Sequence, residues 1–300
     1  MIGCPTRRLR WALLLATGAV VAAAIYLGEI TLRLPRKPLA FRSWDFAPPQ
    51  DVEITAADGL KMRGWFLHSA QATGSTVILL HGQTDNRTGM LGYAKLFMRN
   101  GYNALLPDLR AHGASDGELA TYGYLEADDV HRWVDWVMDR QPGGHVFGLG
   151  ESMGAAILLQ SLTVESRFCA VVAEAPYATL REIAYDRLSQ RYGHSTWPGR
   201  YALRPILELS FIYERLRYGV DLGQVSPERA VGRARTPVLL IFGAHDDNTP
   251  PRHARRIHEA NPDRVTLWEI PNAGHTGAWG SQPKEFERRV PDWLRSAPCS

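Results

Sequence analysis

Cysteine is scarce in this 300-residue chain, and the three that occur, Cys4, Cys169 and Cys299, are far apart and odd in number. None has a metal-ligand spacing, so the pattern supports neither a disulfide framework nor a zinc site. Cys169 lies in the apolar run from Phe168 to Ala173 and reads as a small core residue. Cys299 leaves room for pairing with another molecule in an oxidising compartment, although nothing requires it. An excess of one charge is also missing. The formal charge is only +3, with arginines and acids mixed along most of the sequence, which excludes the basic footprint of a nucleic-acid binder. No internal repeat or low-complexity tract is evident. A hydrophobic content of 45% is enough to bury one sizeable core, and α/β chains of this length commonly stay a single domain.

The first 33 residues stand apart from that domain. Arg7, Arg8 and Arg10 precede an apolar stretch from Trp11 to Gly28, long enough to cross a bilayer as a helix. Small residues at Ala22, Ala23 and Ala24 also permit a cleaved signal peptide, after which the protein would be secreted. The length of the stretch and an interfacial aromatic at Tyr26 favour an uncleaved anchor. The positive-inside pattern favours a cytoplasmic N-terminus with the catalytic domain on the periplasmic side, although Arg33, Arg36 and Lys37 dilute it. Prolines 35, 38, 48 and 49 make residues 34–50 a linker, and residues 51–300 the catalytic domain.

Within that domain, Val52 to Thr55 and Leu60 to His68 form two strands joined by a turn at Asp58 and Gly59, an antiparallel entry. Strands and helices then alternate: strands at Thr76 to Leu80, Asn103 to Pro107, His145 to Leu149, Cys169 to Ala173, Pro237 to Phe242 and Arg264 to Ile270. Between and after them come helices at Gly89 to Arg99, Tyr124 to Arg140, Ala155 to Leu162, Arg252 to Ala260 and Pro283 to Arg295. Such alternation predicts an α/β fold with a mostly parallel, doubly wound sheet. The interval from Tyr177 to Arg235 is too long for a crossover and reads as a helical lid insertion. It interleaves Tyr185, Tyr192, Trp197, Tyr201, Phe211, Tyr213 and Tyr218 with Arg187, Arg191, Arg200, Arg204, Arg215 and Arg217. The aromatics suit an acyl pocket and the arginines an anionic group, yet each residue fits an ordinary helix face equally well.

Gly150-Glu151-Ser152-Met153-Gly154 matches G-x-S-x-G between a strand and a helix, the context in which that motif presents a nucleophilic serine on a sharp turn. A serine hydroxyl needs a base, and the base needs a group that orients it. Asp246 follows the strand ending at Phe242 and is the leading acid, with Asp247 as its rival. His275, among small residues after the next strand, is the base. The chain order Ser, Asp, His is the one this arrangement requires. The oxyanion donors are the backbone N–H groups of Met153 and of Gln83, the latter in the loop after Leu80. His81 reads as a loop-shaping residue.

These stretches, with His81-Gly82, the segment Asp108 to Gly117 and Gly243 to Asp246, resemble the α/β-hydrolase superfamily over residues 51 to 296. The resemblance is nearest to its serine-aminopeptidase-like and monoglyceride-lipase-like branch. Ala111 stands where glycine is usual, which is expected to perturb a turn. The resemblance implies a serine hydrolase without metal or organic cofactor but does not fix the substrate; with the lid as the guide, the expectation is a small-molecule acyl ester or lipid cleaved through an acyl-enzyme. A peptidase or amidase on the same triad, and a non-catalytic binding protein that kept the fold, are the alternatives.

Overall fold

A computed structural model describes residues 5–40, 48–71, 74–192, 201 and 203–299. Cys4, Trp197, Arg200 and the side chain of Tyr192 lie outside the described residues. Eight strands form one sheet: β1 (Gln50–Thr55), β2 (Lys61–Leu67), β3 (Thr76–Leu80), β4 (Asn103–Pro107), β5 (Val146–Glu151), β6 (Phe168–Glu174), β7 (Val238–Gly243) and β8 (Val265–Ile270). Their order is β1-β2-β4-β3-β5-β6-β7-β8. β1 and β2 pair antiparallel, β2 pairs antiparallel with β4, and the rest run parallel.

The central strands read as unbroken apolar runs because helices cover both faces. In β3, Ile78 and Leu80 join one core, and Val77 and Leu79 join the other. Leading in from Pro5–Leu32 (α1), the helices are α2 (Leu91–Arg99), α3 (Glu126–Arg140), α4 (Met153–Ser161), α5 (Leu180–Tyr192), α6 (Arg204–Tyr218), α7 (Pro227–Val231), α8 (Arg252–Ala260), α9 (Ala278–Ser281) and α10 (Pro283–Ser296). The first core takes Trp133 of α3, Ile157 of α4 and Ile257 of α8; the second takes Phe97 of α2 and Phe286 of α10. Thus α5, α6 and α7 occupy the interval between β6 and β7.

By length and composition α1 is able to cross a membrane. Its N-terminal part is exposed, with Leu9, Trp11, Leu13, Leu14 and Leu15 facing outward, whereas Ala24 and Leu32 are buried. The last turns pack on α6, where Gly28 lets Tyr213 and Glu214 come close. Glu29 accepts hydrogen bonds from the hydroxyls of Tyr213 and Tyr218, each 2.5 Å. The free carbonyls at the end of α1 are capped by the body of the protein. Ala120 N–H donates to Leu32 O at 2.8 Å and the Tyr122 hydroxyl donates to Thr31 O at 2.7 Å. Arg36, in the proline-containing stretch, then donates to the carbonyls of Gly113 and Ser115.

One sequence expectation is overturned. Cys169 and Cys299 form a disulfide across 130 residues, with Cα atoms 4.8 Å apart. Spacing along the chain carried no sign of it, because the pairing depends on the C-terminal tail after α10 returning to the start of β6.

Candidate active site

Ser152 sits between the end of β5 and the start of α4, with φ 51° and ψ −113°. Backbone of this kind costs a non-glycine residue about 1–3 kcal/mol and persists only where the surroundings enforce it. They do so by close packing. A Cβ at Gly150 would lie 2.6 Å from the backbone of Gly154 and Ala155, and one at Gly154 would lie 2.3 Å from Leu80 O. Both glycines are therefore required for the turn to close. Ser152 N–H is held by Glu174 O at 2.8 Å.

The loops after β7 and β8 supply the partners. His275 Nε2 lies 2.9 Å from Ser152 Oγ, and His275 Nδ1 lies 2.8 Å from Asp246 Oδ2. The other carboxylate oxygen of Asp246 accepts from the N–H groups of Asn248 at 2.9 Å and Thr249 at 2.7 Å. An ionised Asp246 so held accepts only, which puts the imidazole proton on Nδ1 and leaves Nε2 to accept from the serine. Gly243 lets the two loops meet, since a Cβ there would be 2.3 Å from Ala273 O. His245 N–H binds that same carbonyl at 3.0 Å. Asp246, and not Asp247, is the acid bonded to His275; Asp247 is exposed, and its backbone carbonyl accepts from Gln190 of α5.

Ser152, Met153 and Gln83 line one cavity of about 360 Å³. Its walls are mostly apolar: Leu180, Ile183 and Leu188 from α5, Leu207 and Phe211 from α6, and Leu27 and Ile30 from α1. Arg187 and Arg191 bring positive charge to it. The Gln83 side chain donates to the Tyr122 hydroxyl at 3.1 Å, the same hydroxyl that caps α1. His81 is buried and neutral. Burial chiefly, with His112 beside it, holds its pKa down to about 4, and Nε2 accepts from Leu109 N–H at 3.1 Å. Asp108 and Arg110 are structural: Asp108 is paired with Arg87, and Arg110 with Asp129.

Sequence reasoning missed a buried acid cluster behind the elbow. Tyr93 OH donates to Glu151 at 2.5 Å and approaches Glu174 at 3.1 Å. Glu174 also accepts from Ala278 N–H at 3.0 Å, which ties the His275 loop to the end of β6. Burial is the main cause that pushes the Glu174 carboxyl up to about 7, with the charge of Glu151 adding to it. Nothing in the local pattern flags these residues, because Tyr93, Glu151 and Glu174 come from three different elements. Ligand-type side chains also converge at His145, Cys169 and Cys299, within 4.8 Å of one another, at the sheet end opposite Ser152. Joined as a disulfide, the two sulfurs offer no thiolate to a metal.

A model of the alpha/beta hydrolase family matches residues 77–289. The chain belongs to that family. Among this hydrolase's relatives, uncharacterized protein YqkD of Bacillus subtilis is 27% identical over 94% of this chain and 96% of its own length. The polyketide transferase ATR5 of Stachybotrys chlorohalonatus is 32% identical over 82% and 96%. Among solved structures, the Pyrococcus furiosus esterase Pf2001 superposes with a TM-score of 0.71 at 26% identity, covering 88% of this chain and 99% of the esterase.

Proposed function

We propose that this hydrolase is a membrane-anchored serine esterase of the monoglyceride-lipase-like kind, cleaving carboxylic esters, lipid acyl esters among them. The hydrogen-bonded line from Ser152 through His275 to Asp246, opening on an apolar cavity, carries the reading. Ser152 Oγ attacks the ester carbonyl as His275 Nε2 takes its proton, and Asp246 stabilises the imidazolium. The tetrahedral oxyanion is held by the N–H groups of Met153 and Gln83; one such donor is worth about 3 kcal/mol in a protease. Collapse expels the alcohol with the proton from His275, and water repeats the cycle to release the acid. Similarity to the archaeal esterase supports the choice of ester substrates.

In this reading residues 177–235 form the lid over the site, and α1 is retained as the anchor. Retention is supported by the packing of its last turns on α6 and by their share in the cavity wall. The disulfide supports a catalytic domain on the extracytoplasmic side, since cytosolic thiols are kept reduced.

A fluorophosphonate probe is expected to label the wild-type chain and to leave Ser152→Ala unlabelled, with ester hydrolysis falling by about 10⁴-fold or more. Equal labelling of the two would overturn the assignment. Similarity to the fungal transferase favours a second reading, transfer of the acyl group from Ser152 to an alcohol or amine other than water. Formation of a new ester or amide in place of free acid separates the two.

A further inference from the structure

The cavity beside Ser152 is not built by the catalytic domain alone. Leu27, Ile30 and Thr31 of α1 line it together with Leu207 and Phe211 of α6. They continue the part of α1 whose apolar side chains are exposed, where Val21, Ile25 and Tyr26 face outward, and Ile30 itself is 48% exposed at the cavity's edge. The spacing locates this wall relative to a bilayer. Counted from Arg10, the last cation before the apolar run, about 30 Å of hydrocarbon takes about 20 residues at 1.5 Å each, which ends near residue 30. Glu29 and Arg33 then mark the return to polar surroundings, and both are engaged there: Glu29 with Tyr213 and Tyr218, Arg33 with Glu29. With α1 retained as the anchor proposed above, the cavity wall would lie at the level where acyl chains meet headgroups.

We infer that the last two turns of α1 are a specificity element of this site. They receive the acyl chain of an amphiphilic ester taken from the lipid surface and lay it against Leu27 and Ile30. The inference rests on the ester-hydrolase reading above. At about 30 Å³ for each water-sized unit, the cavity has room for about a dozen chain atoms. That is more than an acetyl or butyryl group needs, and the lining is mostly apolar. The wall is also fixed relative to the reacting carbonyl. Thr31 O accepts from Tyr122 OH, and Tyr122 OH accepts from the side chain of Gln83, next to the proposed oxyanion donor. The end of the anchor and the oxyanion loop therefore share one hydrogen-bonded strut. Leu27 and Ile30 are positioning and specificity residues here, with no part in the chemistry.

The test uses the full-length chain in phosphatidylcholine vesicles with p-nitrophenyl esters from butyrate to palmitate. Leu27→Trp is expected to lower the dodecanoate-to-butyrate ratio of kcat/KM by about tenfold or more, the scale on which apolar pockets discriminate by volume. Ile30→Ala, which enlarges the pocket and leaves the helix former in place, is expected to move the preference to longer chains. Val21→Trp, on the same helix outside the cavity, should leave the profile unchanged. An unaltered profile in both Leu27→Trp and Ile30→Ala overturns the inference. Labelling of Ser152 by fluorophosphonate is read in parallel on each variant, so this failure is distinct from failure of the esterase reading, in which the wild type itself stays unlabelled.

Discussion

Ala111 adopts φ 61°, a left-handed conformation that an L-residue with a Cβ enters at a cost of about 1–2 kcal/mol. The turn is held in place by the hydrogen bond from Ala111 N–H to Asp116 O at 3.0 Å and by the buried Asp108, which accepts from Ala114 N–H at 2.7 Å. The departure from glycine at this position therefore stores strain away from the chemistry. Ala111→Gly is expected to stabilise the fold by about 1 kcal/mol, after allowance for the added freedom of glycine in the unfolded chain. Thermal unfolding checks it; a lower Tm would mean that the alanine methyl contributes packing that outweighs the strain. Ser152 is strained in the same sense, but there the strain aims the hydroxyl at His275, and the glycines around it leave no room for relaxation.

Between elements, the contact of α1 with α6 contains a charge problem. Glu214 of α6 is fully buried, faces Gly28, and neither carboxylate oxygen has a hydrogen-bond partner among the described residues. Burial pushes its pKa up to about 8. The folded state consequently holds the proton more tightly than the unfolded chain, where an ordinary glutamic acid titrates near 4.5. This contact is at full strength below about pH 4.5, weakens as pH rises, and carries the whole cost of a buried charge above about 8. Glu214→Gln removes the titration. It is expected to raise the Tm relative to wild type at pH 9 and to change it little at pH 5, with a difference of about 1–3 kcal/mol in stability. A Tm difference independent of pH would show that Glu214 is solvated or paired in the native state.

On the scale of the whole molecule, the Cys169–Cys299 bridge fastens the tail beyond α10 to the start of β6. It closes a loop of more than a hundred residues, for which chain entropy alone predicts about 4–5 kcal/mol and native bridges typically return about 2–4. Cys299→Ser, or reduction of the wild type, is expected to lower stability by about 2–4 kcal/mol in a denaturant titration. Fluorophosphonate labelling under native conditions should persist, because the bridge lies at the end of the sheet opposite Ser152. Loss of labelling on reduction without unfolding would instead tie the bridge to the site.

Much of this was legible in the order of residues. The alternation of apolar runs with helical segments located the parallel strands of the sheet to within two residues, because the inner ones, buried on both faces, must be apolar throughout, while the edge strand β8 exposes Thr266 and Glu269. That Ser152, Asp246 and His275 come together was legible for a similar reason: a sharp turn needs glycines, and the loops that meet at this edge of the sheet follow strand ends. Sequence alone also isolated the apolar segment at the N-terminus. Three things depended on tertiary packing. The disulfide arises from the return path of the tail, the acid cluster of Tyr93, Glu151 and Glu174 from three elements meeting, and the cavity wall from α1 docking on α6. Each joins residues distant in sequence, and no local period or spacing encodes a contact of that kind. The acid that ends the apolar stretch, Glu29, shows the same division: its pairing with Arg33 is local in sequence, whereas its hydrogen bonds from Tyr213 and Tyr218 exist only once α1 packs on α6.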